Sequence, residues 1–401
     1  MRAERWISWT AIAIRVLAAA ALLFGPWTDE ATELDGWDVD RFQQIGDAPG
    51  APYVDHEVEY PPGTVVIAEL MLADNVVASH RRLVALSLLV DLGLAAVLAR
   101  FWSRRASTAY LLLGLPLVPS GLLRLDLWAA LAAVVAAAAL APLKKPSASV
   151  STARATVFAV AVVVGSLIKL WPALLIAAAI GVRRSGAAAA ATGLGVAFGV
   201  IWLAVSGVEA VEQITSLRGV TGWHLESIPG SLASLIGSEQ PRLEADAFRI
   251  GTLNDTVVSG GRVLTIGVIV LAAGLARRRS GRGSGQEQRQ GQEQGREHDA
   301  ELIALVMLTS VTMLIITAPL LSPQFLLWLT PWAAILHRDR PLMVLTAGAV
   351  AVTAAILAVF GPPDLDHPVA AIALLGRDAL MIAVVGVGLW RLRGSDGFEY
   401  A

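Results

Sequence analysis

The chain has 401 residues, 55% of them hydrophobic and only 16% charged, with a net charge of −2 and no cysteine. An ordinary soluble domain carries about 25% charged residues, and a mean hydropathy of +0.63 turns the reading from soluble domains to a polytopic membrane protein. Disulfides, thiolate metal sites and cysteine nucleophiles are excluded, and the near-neutral balance exerts no pull on nucleic acid.

A membrane helix needs about 20 mostly apolar residues to cross roughly 30 Å of hydrocarbon. Residues 7–26 follow Arg2 and Arg5 and lack a small-x-small cleavage site, so they read as a retained signal anchor. An acidic loop, 27–61, comes next. Gly63–Val77 follows Tyr60-Pro61-Pro62, is short and carries Glu69 and Asp74, which predicts a re-entrant or interfacial helix. Spans are expected over 79–99, 108–122 and 127–143. The apolar run 155–182 is interrupted by Lys169-Leu-Trp-Pro172. As one helix it would reach about 42 Å, so a hairpin of two short helices is expected, with Lys169 at the turn and Pro172 opening the second arm.

Beyond it come a span at 187–207, a large loop at 208–260, and spans at 261–276, 301–319, 323–336, 342–360 and 370–390. The stretch 277–299 is low in complexity and rich in Gly, Gln, Glu and Arg, which predicts a disordered cytoplasmic connector without chemistry. The expected fold is a single all-α polytopic domain over 1–401, with about twelve transmembrane helices and extracytoplasmic loop helices. Placing the arginine-rich joints and both termini in the cytoplasm satisfies the orientation bias of short loops. Only three lysines stand among 31 basic residues. With abundant Ala, Val, Gly and Arg, this composition suits a GC-rich, actinobacterial kind of genome and a bacterial plasma membrane.

Under that topology the unusual polar residues collect on the outer side. Asp38, Asp55, His56 and Glu59 stand in the first loop, Arg124 and Asp126 at the next outer turn, and Lys169 at the one after. Arg218, His224 and Glu226 lie in the large loop, and Ser322-Pro-Gln324 opens the span at 323–336. Ionisable groups near membrane depth are costly and raise a functional-site hypothesis. Cations beside carboxylates suit a lipid-phosphate substrate, with Lys and Arg holding the phosphate and a carboxylate taking a proton from an attacking hydroxyl. No P-loop and no dinucleotide fingerprint is present, which favours a donor activated by a sugar–phosphate–lipid bond.

These residues carry a family resemblance. Asp38-Val-Asp-Arg-Phe42, Pro52-Tyr-Val-Asp55 and Glu59-Tyr60-Pro-Pro62 resemble the first outer loop of GT-C glycosyltransferases, in particular glycosyltransferase family 87. Arg124-Leu-Asp126, Lys169-Leu-Trp-Pro172, Arg218-Gly219 with Glu226-Ser227, and Ser322-Pro-Gln324-Phe-Leu-Leu-Trp328 follow in family order. The resemblance implies that Asp38 is the catalytic base and that Lys169 and Arg218 hold a polyprenyl phosphate. Asp55 is the second-choice base. Arg124, His224, Glu226, Gln324, Glu59 and Tyr60 are expected around the substrate. The sequence departs from the pattern at Phe42 and Phe325, where the family carries Tyr, and in the insertion Thr221–His224.

The implied partners are a polyprenyl-phosphate sugar donor, a glycan or glycolipid acceptor and membrane lipids. The implied reaction is transfer of mannose, or in the alternative arabinofuranose, on the extracytoplasmic face with inversion. No cofactor is expected, because Asp38 and Asp40 are a thin ligand set for a divalent ion that wants six oxygens. Structural roles compete at each position. Asp38 suits an N-cap, Lys169 a snorkelling side chain, and Arg124 with Asp126 an ion pair at a helix start. Arg15, Asp91, Arg262 and Arg377, inside or near spans, are expected to pair with neighbours. The rival of another class, a transporter or flippase of lipid-linked sugars, would show inverted repeats and mid-membrane charges.

Overall fold

The computed structural model describes residues 2–25, 37–140, 148–216, 219–237, 239–245, 247–290, 292–360, 365 and 367–394. In chain order, α1 (Arg2–Phe24) is followed by two short helices, α2 (Trp37–Asp47) and α3 (Pro62–Met71), and the long α4 (Val76–Phe101). Asn75 caps α4 by accepting the Ala78 N–H at 2.9 Å, so the helix begins where a side chain first satisfies an orphan donor. Next come α5 (Arg104–Leu113), α6 (Val118–Leu122), α7 (Asp126–Leu140), α8 (Ala148–Ile168), α9 (Leu174–Gly181), α10 (Ser185–Ser206) and α11 (Glu209–Thr215). In the large loop β1 (Trp223–His224), α12 (Ile228–Ile236), β2 (Arg242–Glu244) and β3 (Ala247–Ile250) form a small layer of their own. The sheet order is β1-β3-β2, antiparallel throughout, with His224 opposite Arg249 and Arg249 opposite Arg242. The chain then runs through α13 (Asp255–Gln290), α14 (Gln292–Thr317), a 3₁₀ helix (Pro323–Trp328), α15 (Thr330–Ile335), α16 (Arg340–Val359) and α17 (Pro368–Arg393).

Among the described residues eight helices are long and apolar enough to cross a membrane, in α1, α4, α8, α10, α13, α14, α16 and α17. The chain is consistent with the expected all-α polytopic membrane protein, with a small three-stranded sheet added in its large loop. Four of the twelve expected spans are not full-length helices. Segment 108–122 is broken at Gly114, Pro116 and Pro119, and the helices on either side of Leu123–Leu125 meet at 110°. Expected span 127–143 is described as far as Leu140, as α7, the other arm of that bend. Segment 171–182 is a short helix over Trp171–Gly181, about 16 Å at 1.5 Å per residue. Segment 323–336 is split between the 3₁₀ helix and α15. Proline accompanies the breaks at Pro172, Pro323 and Pro331, where it cannot donate to the preceding turn and instead starts a new helix; the 110° bend over Leu123–Leu125 contains none.

The break after α5 is fixed by charge. Arg15 of α1 donates to Asp91 of α4 at 2.7 Å and to the Leu111 carbonyl at 2.5 Å, while Tyr110 donates to the same carboxylate. All three side chains are buried. Neighbour pairing thus accounts for Arg15 and Asp91, whereas Arg262 is exposed on α13.

The backbone is helical over 277–290 and 292–299, in place of the disordered connector expected there. Gln, Glu and Arg are good helix formers, and two long apolar helices lead into this stretch from both sides. At this end of the bundle arginines cap neighbouring helix ends: Arg277 donates to the Ile180 carbonyl, Arg279 to that of Arg391, and Arg184 pairs with Asp299. Lys169, Asp126 and Pro319 lie at the opposite ends of their helices.

Candidate active site

The short helices decide where the site lies. Asp126 opens α7 at the 110° bend and Trp171 opens the short Trp171–Gly181 helix, and both helix starts are buried within the bundle. Irregular backbone at membrane depth is tolerated where it is buried in protein or lines a cavity. These ends meet that condition, for Asp126, Trp171, Gln324 and Trp328 are all buried.

Asp38 stands in the first turn of α2, and its Oδ2 accepts a hydrogen bond from Arg124 Nη1 at 2.5 Å. Arg124 occupies the bend between α6 and α7, so the bend aims the guanidinium up at the loop. One turn along α2, Arg41 grips Glu59 through two nitrogens, at 2.6 to 3.2 Å, and also donates to the Glu57 carbonyl at 3.0 Å. Phe42 packs on Tyr60 with ring centroids 5.5 Å apart. The Lys169 ammonium lies 5.3 Å from the centre of the same Tyr60 ring. Asp38, Phe42, Tyr60 and Lys169 therefore form one continuous wall, and Asp38 and Lys169 belong to the same end of the bundle.

The loop before α3 and the large loop are joined by Gln213 of α11. Its amide donates to the Tyr53 carbonyl and accepts the Val58 N–H, both at 2.9 Å. Tyr53, at φ 70°, turns the loop and donates its hydroxyl to the Tyr60 carbonyl at 2.7 Å. Asp55 is exposed and accepts the Ala51 N–H at 2.6 Å. It closes a turn within its own loop, which is a structural use of the second-choice base. Arg218 lies outside the described residues.

In the large loop β1 docks on the end of α14, where the His224 N–H donates to the Pro319 carbonyl at 3.2 Å. Gly230 lets α12 pack against β1, because a Cβ there would collide with the His224 carbonyl. Glu226 is anchored from below. Arg377, with 0% exposure, donates to the Glu226 carboxylate at 3.2 Å and to its backbone carbonyl at 2.5 Å. The same guanidinium donates to Asp378 at 2.9 Å. Arg377 stands nine residues into α17, about 14 Å along the helix, so the large loop reaches well into the bundle.

Burial, and then the nearby charges of Arg249, Arg377 and Arg124, push the His224 pKa down to about 3. The ring is neutral at any working pH, and its Nδ1 accepts the Glu226 N–H at 3.3 Å, which leaves the proton on Nε2. Burial raises the Glu226 pKa to about 7, opposed by Arg377 and reinforced by Asp378. Two carboxylates share one guanidinium, so a proton on one of them is favoured. The Arg124 charge acts on both His224 and Glu226, which ties the second loop to the Asp38 wall.

A raised carboxyl pKa in the folded state means that the native protein holds an extra proton between the ordinary value of 4.5 and about 7. Stability from that proton is full below the window and is lost as pH rises through it. The thermal unfolding midpoint of the wild type is expected to decline across this window, and that of Glu226→Gln to decline less. Equal slopes would show that Glu226 does not titrate there.

Asp126 is not paired with Arg124, contrary to expectation. Its Oδ1 accepts the Trp328 indole N–H at 2.6 Å. Trp171 stacks on Trp328 at 5.5 Å and Phe325 does so at 4.4 Å, so the Lys169 motif and the Ser322 motif meet face to face. Gln324 is buried on the 3₁₀ helix. Arg41, Gln213 and Arg249 were not singled out in the sequence. Arg41 sat inside a quoted motif and could have been found there, whereas nothing local marks Gln213.

No protein-family model matches the chain, and no curated protein matches it. Among solved structures, the chain is similar to the apo crystal structure of the Archaeoglobus fulgidus oligosaccharyltransferase, at 12% identity and a TM-score of 0.38. The likeness covers 98% of this chain and 57% of that one, so the chain spans little more than half the length of that protein. At this level of similarity, function is read from the chain's own residues.

Proposed function

We propose that this chain is a membrane glycosyltransferase of GT-C type. It moves a sugar, mannose by family preference, from a polyprenyl-phosphate donor to a glycan or glycolipid hydroxyl on the extracytoplasmic face of a bacterial plasma membrane. The observation that carries this reading is the state of Lys169. Among the described residues no carboxylate pairs with it, while the cations around it are matched: Arg124 with Asp38, Arg41 with Glu59, Arg377 with Glu226 and Asp378. A cation left without an acid, beside a carboxylate oriented by an arginine, suits an anionic ligand whose neighbour must lose a proton.

In this mechanism the acceptor hydroxyl oxygen attacks the anomeric carbon from the side opposite the phosphate. Its proton passes to Asp38 as the C–O bond to phosphate breaks. The leaving phosphate gathers negative charge, and Lys169, with Arg218, stabilises it. Configuration inverts. Neutral His224 and the amide of Gln324 offer hydrogen bonds without adding charge.

A charge-assisted hydrogen bond is worth about 1.5–3 kcal/mol, so Lys169→Gln is expected to weaken donor binding about 10- to 100-fold. Titration of purified protein with polyprenyl-phosphate-mannose measures this. Unchanged affinity removes Lys169 from the phosphate site. The competing reading is a flippase of lipid-linked sugars, raised by the sequence position of Arg377 inside a span, and the same preparation in vesicles separates the two. Sugar appearing on an acceptor supports the transferase, while lipid flipping without transfer supports the rival.

A further inference from the structure

Two of the buried polar atoms without hydrogen-bond partners among the described residues belong to side chains packed around Trp328. Asp126 is 1% exposed and Trp171 3%, and neither Asp126 Oδ2 nor Trp171 Nε1 meets a partner among the described residues. One is an acceptor and the other a donor. They belong to side chains that are next neighbours around a single indole, since Trp328 holds Asp126 Oδ1 by its N–H at 2.6 Å and stacks on Trp171 at 5.5 Å. Buried polar atoms are nearly always paired, and an orphan asks for an explanation. A carboxylate oxygen at the start of a buried apolar helix is a costly one to leave without a partner.

We infer that Asp126 and Trp171 form a hydroxyl-reading subsite for the transferred sugar. One sugar hydroxyl satisfies both orphans at once, donating to Asp126 Oδ2 and accepting from Trp171 Nε1. The placement fits the donor, because Trp171 stands two residues beyond Lys169 and the sugar of a glycosyl phosphate is bonded directly to the phosphate. Asp38 then faces the anomeric carbon, Lys169 the phosphate, and Asp126 with Trp171 a hydroxyl of the ring. Phe325, which is half-buried, also stacks on Trp328. Aromatic faces beside a hydroxyl-binding carboxylate match the mixed apolar and polar surface of a pyranose. The inference rests on the donor reading given above and adds the groups that select the sugar.

The test compares two lipids on the full chain in nanodiscs, polyprenyl-phosphate-mannose and bare polyprenyl phosphate. Trp171→Phe keeps the ring and removes only the N–H; Asp126→Asn removes the charge and is checked for folding by its thermal midpoint. The wild type is expected to prefer the sugar-bearing lipid. Each variant should lose about tenfold affinity for that lipid and none for the bare one. The double variant should lose little more than either single, because both groups read one hydroxyl. Equal weakening toward both lipids, or no weakening, overturns the inference and leaves the pair bridged by an ordered water alone. A wild type that binds both lipids equally overturns the subsite but not the donor reading. One that binds neither lipid removes the donor reading, and the subsite with it.

Discussion

Asp38→Asn is expected to lower the rate of sugar transfer by about 10²- to 10⁴-fold, the range of a lost general base, with donor affinity within a few-fold of the wild type. The substitution preserves size, and an Asn carbonyl can still accept from Arg124. What disappears is the ability to take a proton. The geometry makes the experiment clean, since Asp38 Oδ2 holds Arg124 at 2.5 Å and no protein hydrogen bond to Oδ1 occurs among the described residues. Arg124→Gln should also slow transfer, because the carboxylate loses the partner that orients it, but less than Asp38→Asn. Single-turnover transfer from polyprenyl-phosphate-mannose, with donor binding measured separately, distinguishes these cases. Asp38→Asn within tenfold of the wild-type rate ends its assignment as base, and the half-buried Asp40, whose pKa burial raises, becomes the carboxylate to examine next.

The fold was legible where hydropathy is continuous and illegible where proline interrupts it. Windows of apolar residues locate α4, α10, α14, α16 and α17 without difficulty, because every residue there adds to the same signal. They cannot tell Leu115–Leu122 from a span, since a 110° bend leaves the average hydropathy untouched. Lys169-Leu-Trp-Pro172 could be read as a turn because the charge and the proline coincide. The site divides in the same way. That Asp38, Arg124 and Lys169 share one end follows from sidedness, which the distribution of arginines encodes. That Arg124 turns to Asp38, 86 positions away, and not to Asp126 two residues on, follows only from the direction in which a broken helix points its side chains. Gln213 marks the limit. Its role is two hydrogen bonds to backbone atoms more than 150 residues distant, and no local pattern announces that.

Arg377 carries the largest expected effect on stability. The sequence places it inside a span, where it reads equally well as a mid-membrane charge of a transporter or as a structural ion. Its geometry decides for structure, because every nitrogen of the guanidinium is engaged: Nε with Asp378, Nη1 with the Glu226 carboxylate, Nη2 with the Glu226 carbonyl and with Asp378. Removing the arginine would leave two buried carboxylates and a carbonyl without their donor. Breaking a buried pair by deleting one partner costs about 3–5 kcal/mol, a large share of the roughly 5–15 kcal/mol that holds a domain together. Arg377→Leu is therefore expected to unfold at a markedly lower temperature, or to release the segment from Trp223 to Ile236 from the bundle, detectable as proteolysis within that loop. Arg377→Leu combined with Glu226→Gln should recover part of the loss, since one of the two stranded charges is gone, whereas Glu226→Gln alone should be mild because the Arg377–Asp378 pair survives. Additive losses would mean that the two side chains act independently. A tightly held Arg377 also bears on transport, for a charge that must move with a cargo cannot remain locked to the large loop by its own side chain.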